Sequence, residues 1–438
     1  MARWRKRLEQ GLNIQPGEGP AVVAGLALFY LLFTGYFMLR PVRETMGVAG
    51  GVDNLQWLFT GTFIATLACL PLFGWLASKV RRRHILRWTY GFFASNLLLF
   101  AVLFARQPDD VGQARAFYIW LSVFNLLTIS LAWSVLTDLF ASEQGKRLFG
   151  LLAAGASLGG LSGPMLGALL VAPLGHAGLV MLAALFLLGS MVAAEYLQRW
   201  RDRHPLPAAS DQPGSRPLGG NPFAGATAVL RSPYLLGIAL FVVLLASVST
   251  FLYFEQARIV SETFTDRTRQ TQVFGLIDSV VQALAILTQV FITGRLARRM
   301  GVGVLLVAVP LVMAAGFLWL ALAPVFAVFV VVMVVRRAGE YALVRPGREM
   351  LFTVLPAEDK YKAKNFIDTV VYRGGDALSG WVKRALDVFA EHPQMAMLIG
   401  ALIAVGWGLT GSWLGRRQRQ LDRSDGQPCA PNKQRPFI

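Results

Sequence analysis

Apolar residues in this chain come in runs of about 20, the length an α-helix needs to carry its backbone through roughly 30 Å of hydrocarbon. In lipid every backbone N–H and C=O must find its partner within the segment, so runs of this kind are helices rather than open strands. Hydropathy places them at 20–44, 55–79, 84–105, 115–140, 146–171 and 174–198, then at 233–258, 271–297, 302–322, 324–348, 363–388 and 394–415. The expectation is an all-α integral membrane protein with about twelve transmembrane helices, arranged as two six-helix bundles. Only 15% of its 438 residues are charged against 55% hydrophobic, which leaves little material for a soluble domain.

A formal charge of +17 would in a soluble chain suggest nucleic-acid binding. Here the basic residues lie between the apolar runs: Arg3 to Arg7, Lys79 to Arg83, Lys146 and Arg147, Arg199 to Arg203, Arg295 to Arg299, Lys360 to Lys364, and the tail from Arg416. With twelve crossings these are alternate connections plus both ends of the sequence, which is the positive-inside pattern. It predicts a multi-pass protein of the cytoplasmic (inner) membrane with both termini in the cytoplasm, and it explains the charge without nucleic acid.

The intervening segments define the expected organisation: a cytoplasmic N-terminal segment 1–19, a bundle 20–198, a linker 199–232 rich in Pro, Gly, Ser and charge, a second bundle 233–415, and a disordered tail 416–438. The basic start is followed by an apolar run that continues to about Arg40 with no small-residue cleavage site, so it reads as a first span rather than a leader. Two cysteines, Cys69 within a span and Cys429 in the tail, imply no disulfide framework. The four histidines are scattered without metal-ligand spacing. No constellation of catalytic residues stands out, and the expectation is a non-enzyme without cofactor or bound metal. Gly155-Ala156-Ser157-Leu158-Gly159 matches a nucleophile-elbow pattern, but it belongs to a Gly155, Gly159, Gly163, Gly167 series at i, i+4, a smooth face for close helix packing in lipid.

Gly74-Trp75-Leu76-Ala77-Ser78-Lys79 precedes Arg81 to Arg83 after the second span, and Gly294-Arg295-Leu296-Ala297-Arg298-Arg299 ends the eighth. Both resemble the loop signature of the major facilitator superfamily, with Ser78 and Arg298 where that pattern has Asp. Gly159-x-x-x-Gly163-Pro164-x-x-Gly167-Ala168 is similar to the fifth-helix antiporter motif of facilitator exchangers. The resemblance implies two pseudo-twofold six-helix bundles that rock about a site near the bilayer midplane.

The tenth span carries the most chemistry. Arg336, Arg337 and Glu340 follow the apolar run Pro324 to Val335, about half a bilayer deep. A charge at a helix centre costs about 3 kcal/mol, so such a cluster pairs, lines water or binds a ligand. An internal Arg336–Glu340 bridge at i, i+4 is the bland alternative and leaves Arg337 to be accounted for. Further on, Tyr341-x-x-x-Arg345-Pro346-x-Arg348-Glu349 repeats the spacing of Tyr36-x-x-x-Arg40-Pro41-x-Arg43-Glu44 in the first span. On an ideal helix each copy puts its Tyr and two Arg on one face. Snorkelling of interfacial arginines is the structural alternative. Otherwise the permanently charged guanidinium forks suit a carboxylate or phosphate.

In the eleventh span Asp368, Arg373, Gly374, Gly375 and Asp376 lie at mid-depth, with an Arg373–Asp376 pair as the alternative to a ligand role and the two glycines as a place for the helix to loosen. Asp278 in the eighth span has no charged neighbour at helical spacing and is the leading coupling candidate, with Asp376 and Glu340 beside it. Glu255 and Arg258 read as an interfacial pair.

Glu340-Tyr341-Ala342-Leu343-Val344-Arg345-Pro346-Gly347-Arg348-Glu349-Met350, followed by Ile367-Asp368-Thr369-Val370, resembles the corresponding stretch of the ATP/ADP translocases of plastids and intracellular bacteria. Leu39 to Glu44 and Glu143 to Gly150 are similar to two further segments of that family. The resemblance puts that family's functional lysines on Arg43 and Arg348. Taken together, the expected protein is an alternating-access secondary transporter for an organic or phosphorylated, nucleotide-like anion, working by exchange or ion coupling and as a monomer among membrane lipids. The expected substrate-binding residues are Tyr36, Arg40, Arg43, Arg337, Tyr341, Arg345, Arg348 and Arg373, and the expected coupling residues are Asp278, Asp376 and Glu340. A proton-coupled facilitator permease or exporter of an unrelated small molecule, and a non-transporting receptor or scaffold, are the rival readings.

Overall fold

The computed structural model describes residues 14–15, 17–79, 82–140, 142–204, 225–389 and 393–425. The basic run Arg3 to Arg7, most of the linker, Arg81, Cys429 and the last part of the tail lie outside them. Every long element among the described residues is a helix: α1 Gly19–Ala49, α2 Leu55–Lys79, α3 Arg82–Arg106, α4 Val111–Leu139, then an unbroken stretch Ser142–Arg203. Gly175 divides that stretch. Its φ of 67° and ψ of 177° turn the chain sharply, a conformation open to glycine for want of a Cβ, so the stretch is two rods, α5 (142–174) and α6 (176–203). After a one-and-a-half-turn helix, Ala226–Arg231, come α7 Pro233–Thr263, α8 (267–300), α9 Val302–Leu322, α10 (326–351), α11 (357–389) and α12 Pro393–Asp425. Nine helical stretches among the described residues are long and apolar enough to cross a membrane, one of them holding both α5 and α6. α10 and α11 are not among the nine; α10 carries buried Arg336, Arg337 and Glu340, and α11 carries buried Asp376 and Lys383.

The observed helices run past several expected ends. α1 reaches Ala49 rather than residue 44, and α7 reaches Thr263 rather than 258. Polar side chains in these last turns bond locally: Thr45 donates to the Pro41 carbonyl, and Arg258 pairs with both Glu255 and Glu262. α12 likewise continues ten residues beyond 415, to Asp425. The lipid-facing surface is apolar, with Leu72, Leu169, Leu322, Leu402 and Leu409 all exposed.

The chain forms two compact units. The first joins residues 1–221 with 250–286 and 380–385, the second 222–249 with 287–379 and 386–438. In the first, α1 lies directly on α5. A Cβ at Gly155, Gly159, Gly163 or Gly167 would fall 2.5 to 2.9 Å from the carbonyl oxygens of Leu26, Tyr30, Thr34 and Met38 in turn. Four successive turns of α1 therefore fit the glycine face backbone to side, where dispersion rather than hydrophobicity drives association. At the N-terminal end of α1, buried Glu18 accepts two hydrogen bonds from Arg147, at 2.9 and 3.2 Å, and one from Gln144, clasping α1 to the start of α5. Burial opposes ionisation of this carboxyl, but the donors from Arg147, the Gln15 backbone and Gln144 outweigh it and hold Glu18 below the usual carboxylate range. In the second unit, Trp407 of α12 is fully buried against Phe241 of α7, ring centroids 5.6 Å apart.

Candidate functional site

Among the described residues, three π-helical turns, in which the hydrogen bonds run i→i+5, interrupt otherwise regular helices of the second unit: Gln289–Thr293 in α8, Glu340–Val344 in α10 and Ile367–Val371 in α11. Such turns collect at functional sites because they insert one residue into a helix and re-aim every side chain beyond it. The α11 turn lies beside Asp368, not at Gly374 and Gly375, which corrects the expectation that the glycine pair loosens the helix. Gly375 instead lets α11 approach α7, where an added Cβ would stand 3.2 Å from that of Ala246.

The α10 turn determines how its arginines face. On an uninterrupted helix, twelve residues at about 100° each leave Arg348 roughly 120° from Arg336; one residue added to a turn removes about 100°, bringing the two to roughly the same face. Both pair with a carboxylate and keep a buried Nε–H unmet among the described residues. Arg336, 6% exposed, donates to Ser249 Oγ at 2.7 Å and to Glu340 Oε2 at 2.9 Å, but its Nε, buried, has no hydrogen-bond acceptor among the described residues. Arg348 approaches Asp368 of α11 at 3.2 Å, and its Nε is likewise buried and unmet. Arg337 is equally buried, 6% exposed, on the same turn. Tyr341 lies within the π turn and so departs from the ideal-helix face expected for it, yet Arg345 still stacks over its ring, 4.6 Å from the centroid. Arg373 pairs with Asp376 at 3.7 Å, and Glu349 is taken by Lys364. Arg337, Glu340, Tyr341, Arg345, Arg348, Arg373 and Asp376 thus belong to one unit, together with Ser249 and Asp368.

The remaining expected residues belong to the first unit. Arg40 Nε stands 3.5 Å from Asp278 of α8, so the coupling candidate, whose own helix places no charge at helical spacing from it, has a guanidinium supplied by α1. Tyr36 is half-buried beside Phe37, whose ring lies 6.0 Å from the Arg40 guanidinium. Arg43 stacks on Tyr118 of α4, 3.8 Å from the ring centroid, donates to the Tyr118 carbonyl at 3.3 Å and bonds Glu44 at 3.1 Å. Tyr118 in turn donates to the Tyr253 hydroxyl at 3.0 Å. One turn on from Pro41, Thr45 meets Thr271 of α8 at 2.7 Å, and Thr271 meets His176 Nε2 at 2.9 Å.

Sequence reasoning passed over Ser249, Gln289, Thr293, Thr271 and the Arg43–Tyr118 stack. Pro346 withholds a backbone N–H that the preceding turn needs, but Pro41 does the same within the α geometry of α1, so neither proline by itself signals the π turn. The bland Arg336–Glu340 and Arg373–Asp376 pairs both form, and Arg40, Arg43 and Arg348 each have a carboxylate too.

Among the described residues, nine helical stretches apolar enough to cross a membrane, with buried charges paired in mid-helix, define a polytopic membrane protein. The chain belongs to the Major Facilitator Superfamily, whose model matches residues 21–339. Its fold is similar to the nucleoside transporter NupG (TM-score 0.62, 14% identity, 91% of this chain and 99% of that one) and to a bacterial homologue of the iron transporter ferroportin in an inward-facing state (0.62, 13%, 92% and 98%). A curated relative, the multidrug transporter protein MdtP of Bacillus subtilis, is 22% identical over 148 residues, 33% of this chain. The chain spans about a quarter of that relative's length, 26%.

Proposed function

We propose that the protein is a secondary transporter of the cytoplasmic membrane, both termini inside, that carries an organic or phosphorylated anion by alternating access, through exchange or ion coupling. The observation that carries this reading is the pair of buried, unmet Nε–H donors of Arg336 and Arg348, brought to one face of α10 by its π turn. An unsatisfied charged donor in a low-dielectric interior is costly, and a bidentate oxyanion satisfies it. Local charge agrees: residues 336–376 contain eight Lys or Arg against six Asp or Glu. The carboxylates act as stand-ins for the anion, Asp368 on Arg348 and Asp376 on Arg373, so that substrate entry exchanges one partner for another instead of exposing a bare guanidinium. Likeness to the ATP/ADP translocases supports a nucleotide as first substrate to try, and the nucleoside carrier of similar fold makes an uncharged nucleoside the natural control.

The carboxylate pairing also favours a second reading, a proton-coupled permease for an uncharged small molecule, with Arg40–Asp278 as the coupling pair. Uptake of ATP, ADP, a sugar phosphate and an uncharged nucleoside into proteoliposomes, with and without a proton gradient, separates the two. The anion reading expects uptake of phosphorylated solutes that a second internal anion accelerates. Transport confined to the uncharged nucleoside would overturn it.

A further inference from the structure

We propose that Gln289 and Thr293 of α8 are positioning residues that hold the π turn of α10 open and so aim its arginines. The argument starts from Pro346. It stands four residues after Ala342 and five after Tyr341, so it withholds the N–H that the Ala342 carbonyl would take in an α turn and the Tyr341 carbonyl in a π turn. The Arg345 N–H, the α-helical donor to Tyr341, bonds Glu340 instead. Two adjacent carbonyls in the middle of a span are therefore stranded, a situation that lipid does not relieve. Those two carbonyls receive side chains from α8: Gln289 Nε2 donates to Tyr341 O at 3.0 Å, and the Thr293 hydroxyl lies 2.8 Å from Ala342 O.

Both donors come from the π turn of α8 itself, Gln289–Thr293, and Thr293 also reaches back to the Thr288 carbonyl at 3.1 Å. Four residues apart, Gln289 and Thr293 share one face of α8 and reach the same neighbour. Without Gln289, α10 can return the Arg345 N–H to the Tyr341 carbonyl by rewinding, and without Thr293 the Ala342 carbonyl is left beside Pro346 with no α-helical donor; rewinding turns Arg348 away from Arg336 by about 100°. Neither residue touches the guanidiniums; they act through the backbone that carries them. The proposal rests on α10 being the substrate-binding helix, but its first readout does not.

Hydrogen–deuterium exchange of the 340–347 amides in full-length purified protein tests the anchoring directly. Thr293→Val and Gln289→Leu should each speed exchange there about tenfold, the effect of one lost hydrogen bond of ordinary strength, while Thr293→Ser stays at the wild-type rate. Pro346→Ala supplies the missing N–H, so Thr293→Val should change exchange by no more than about twofold in that background. Unchanged exchange in both single variants, or an undiminished Thr293→Val effect beside Pro346→Ala, overturns the proposal. ATP then serves as transport probe: Thr293→Val should raise KM for its uptake about tenfold with turnover nearly unchanged, and Thr293→Ser should restore it. If exchange responds as stated while ATP neither stabilises nor enters the wild type, the anchoring stands and the nucleotide reading falls. Equal loss of turnover and KM effects in Thr293→Ser and Thr293→Val counts against positioning.

Discussion

The two copies of Tyr-x-x-x-Arg-Pro-x-Arg-Glu are the same sentence folded in two ways. In α1 the helix passes Pro41 in α geometry, and its second arginine, Arg43, is closed in by the Tyr118 ring, the Tyr118 carbonyl and Glu44. In α10 the turn before Pro346 is π, the second arginine reaches across to Asp368, and the following Glu349 goes to Lys364 rather than to its neighbour. Local sequence alone does not separate the copies, so their neighbours do. α1 is fitted to four glycines of α5 along its carbonyls, and an inserted residue would put every later turn out of register with that face. α10 faces donors instead, and donors tolerate a stranded carbonyl. One copy is therefore built as a packed strut and the other as an adjustable cradle, though both carry the same motif.

The sharpest way to break the contrast is to truncate both second arginines. If the proposed anion reading holds, Arg348→Ala should lower anion uptake about a hundredfold while leaving membrane insertion intact, since it removes a buried donor and leaves Asp368 only Lys364, 3.9 Å away, as a cationic partner among the described residues. Arg43→Ala should instead show first as a lower yield of monodisperse protein. Equal transport loss with normal yield for both would erase the distinction. The next effect lies in the strut: Gly163→Val drives a side chain into the Thr34 carbonyl and should destabilise the first unit by about 2 kcal/mol, read as a fall in the midpoint of thermal unfolding. An unchanged midpoint would mean that α1 is not held by the α5 glycine face.

The prolines then give a comparison of intermediate size. Pro346→Ala returns a donor to the Ala342 carbonyl, favours plain α geometry and should reduce transport about tenfold through misplacement of Arg348. Pro41→Ala lies in a helix already in α form and should change transport less than twofold. The reverse order, with α1 the sensitive copy, would move the cradle to the first unit.

Whether a feature is legible in the sequence depends on what fixes it. Most of the long helices among the described residues were readable because lipid imposes length and apolarity on a span, and the Gly155 to Gly167 series because small residues at i, i+4 have one common use in a bilayer. The charged residues of α10 and α11 could be named because a charge at that depth stands out against its run. Their partners could not. Arg40 with Asp278, Arg348 with Asp368 and Arg336 with Ser249 each join two different helices, and no periodicity within one helix encodes them. The π turns were hidden for a different reason: Pro41 and Pro346 occur in the same words, and the donors that distinguish them, Gln289 and Thr293, look like ordinary polar residues near a helix end.

The smallest expected effect concerns the strut's aromatic cap. Tyr118 is fully buried and offers Arg43 of α1 a ring face and a carbonyl, while its hydroxyl donates to Tyr253 of α7. Tyr118→Phe keeps the first two and removes only the third, leaving the Tyr253 hydroxyl without that donor at a cost of about 1 kcal/mol. Tyr118→Ala also removes the ring, adding a cavity and a lost cation–π contact, and should cost several times more. Thermal unfolding of the two variants beside wild type reads the ratio directly. If Phe and Ala are equally harmful, the hydroxyl link from α4 to Tyr253 of α7 carries the stability, and the Arg43 stack contributes little.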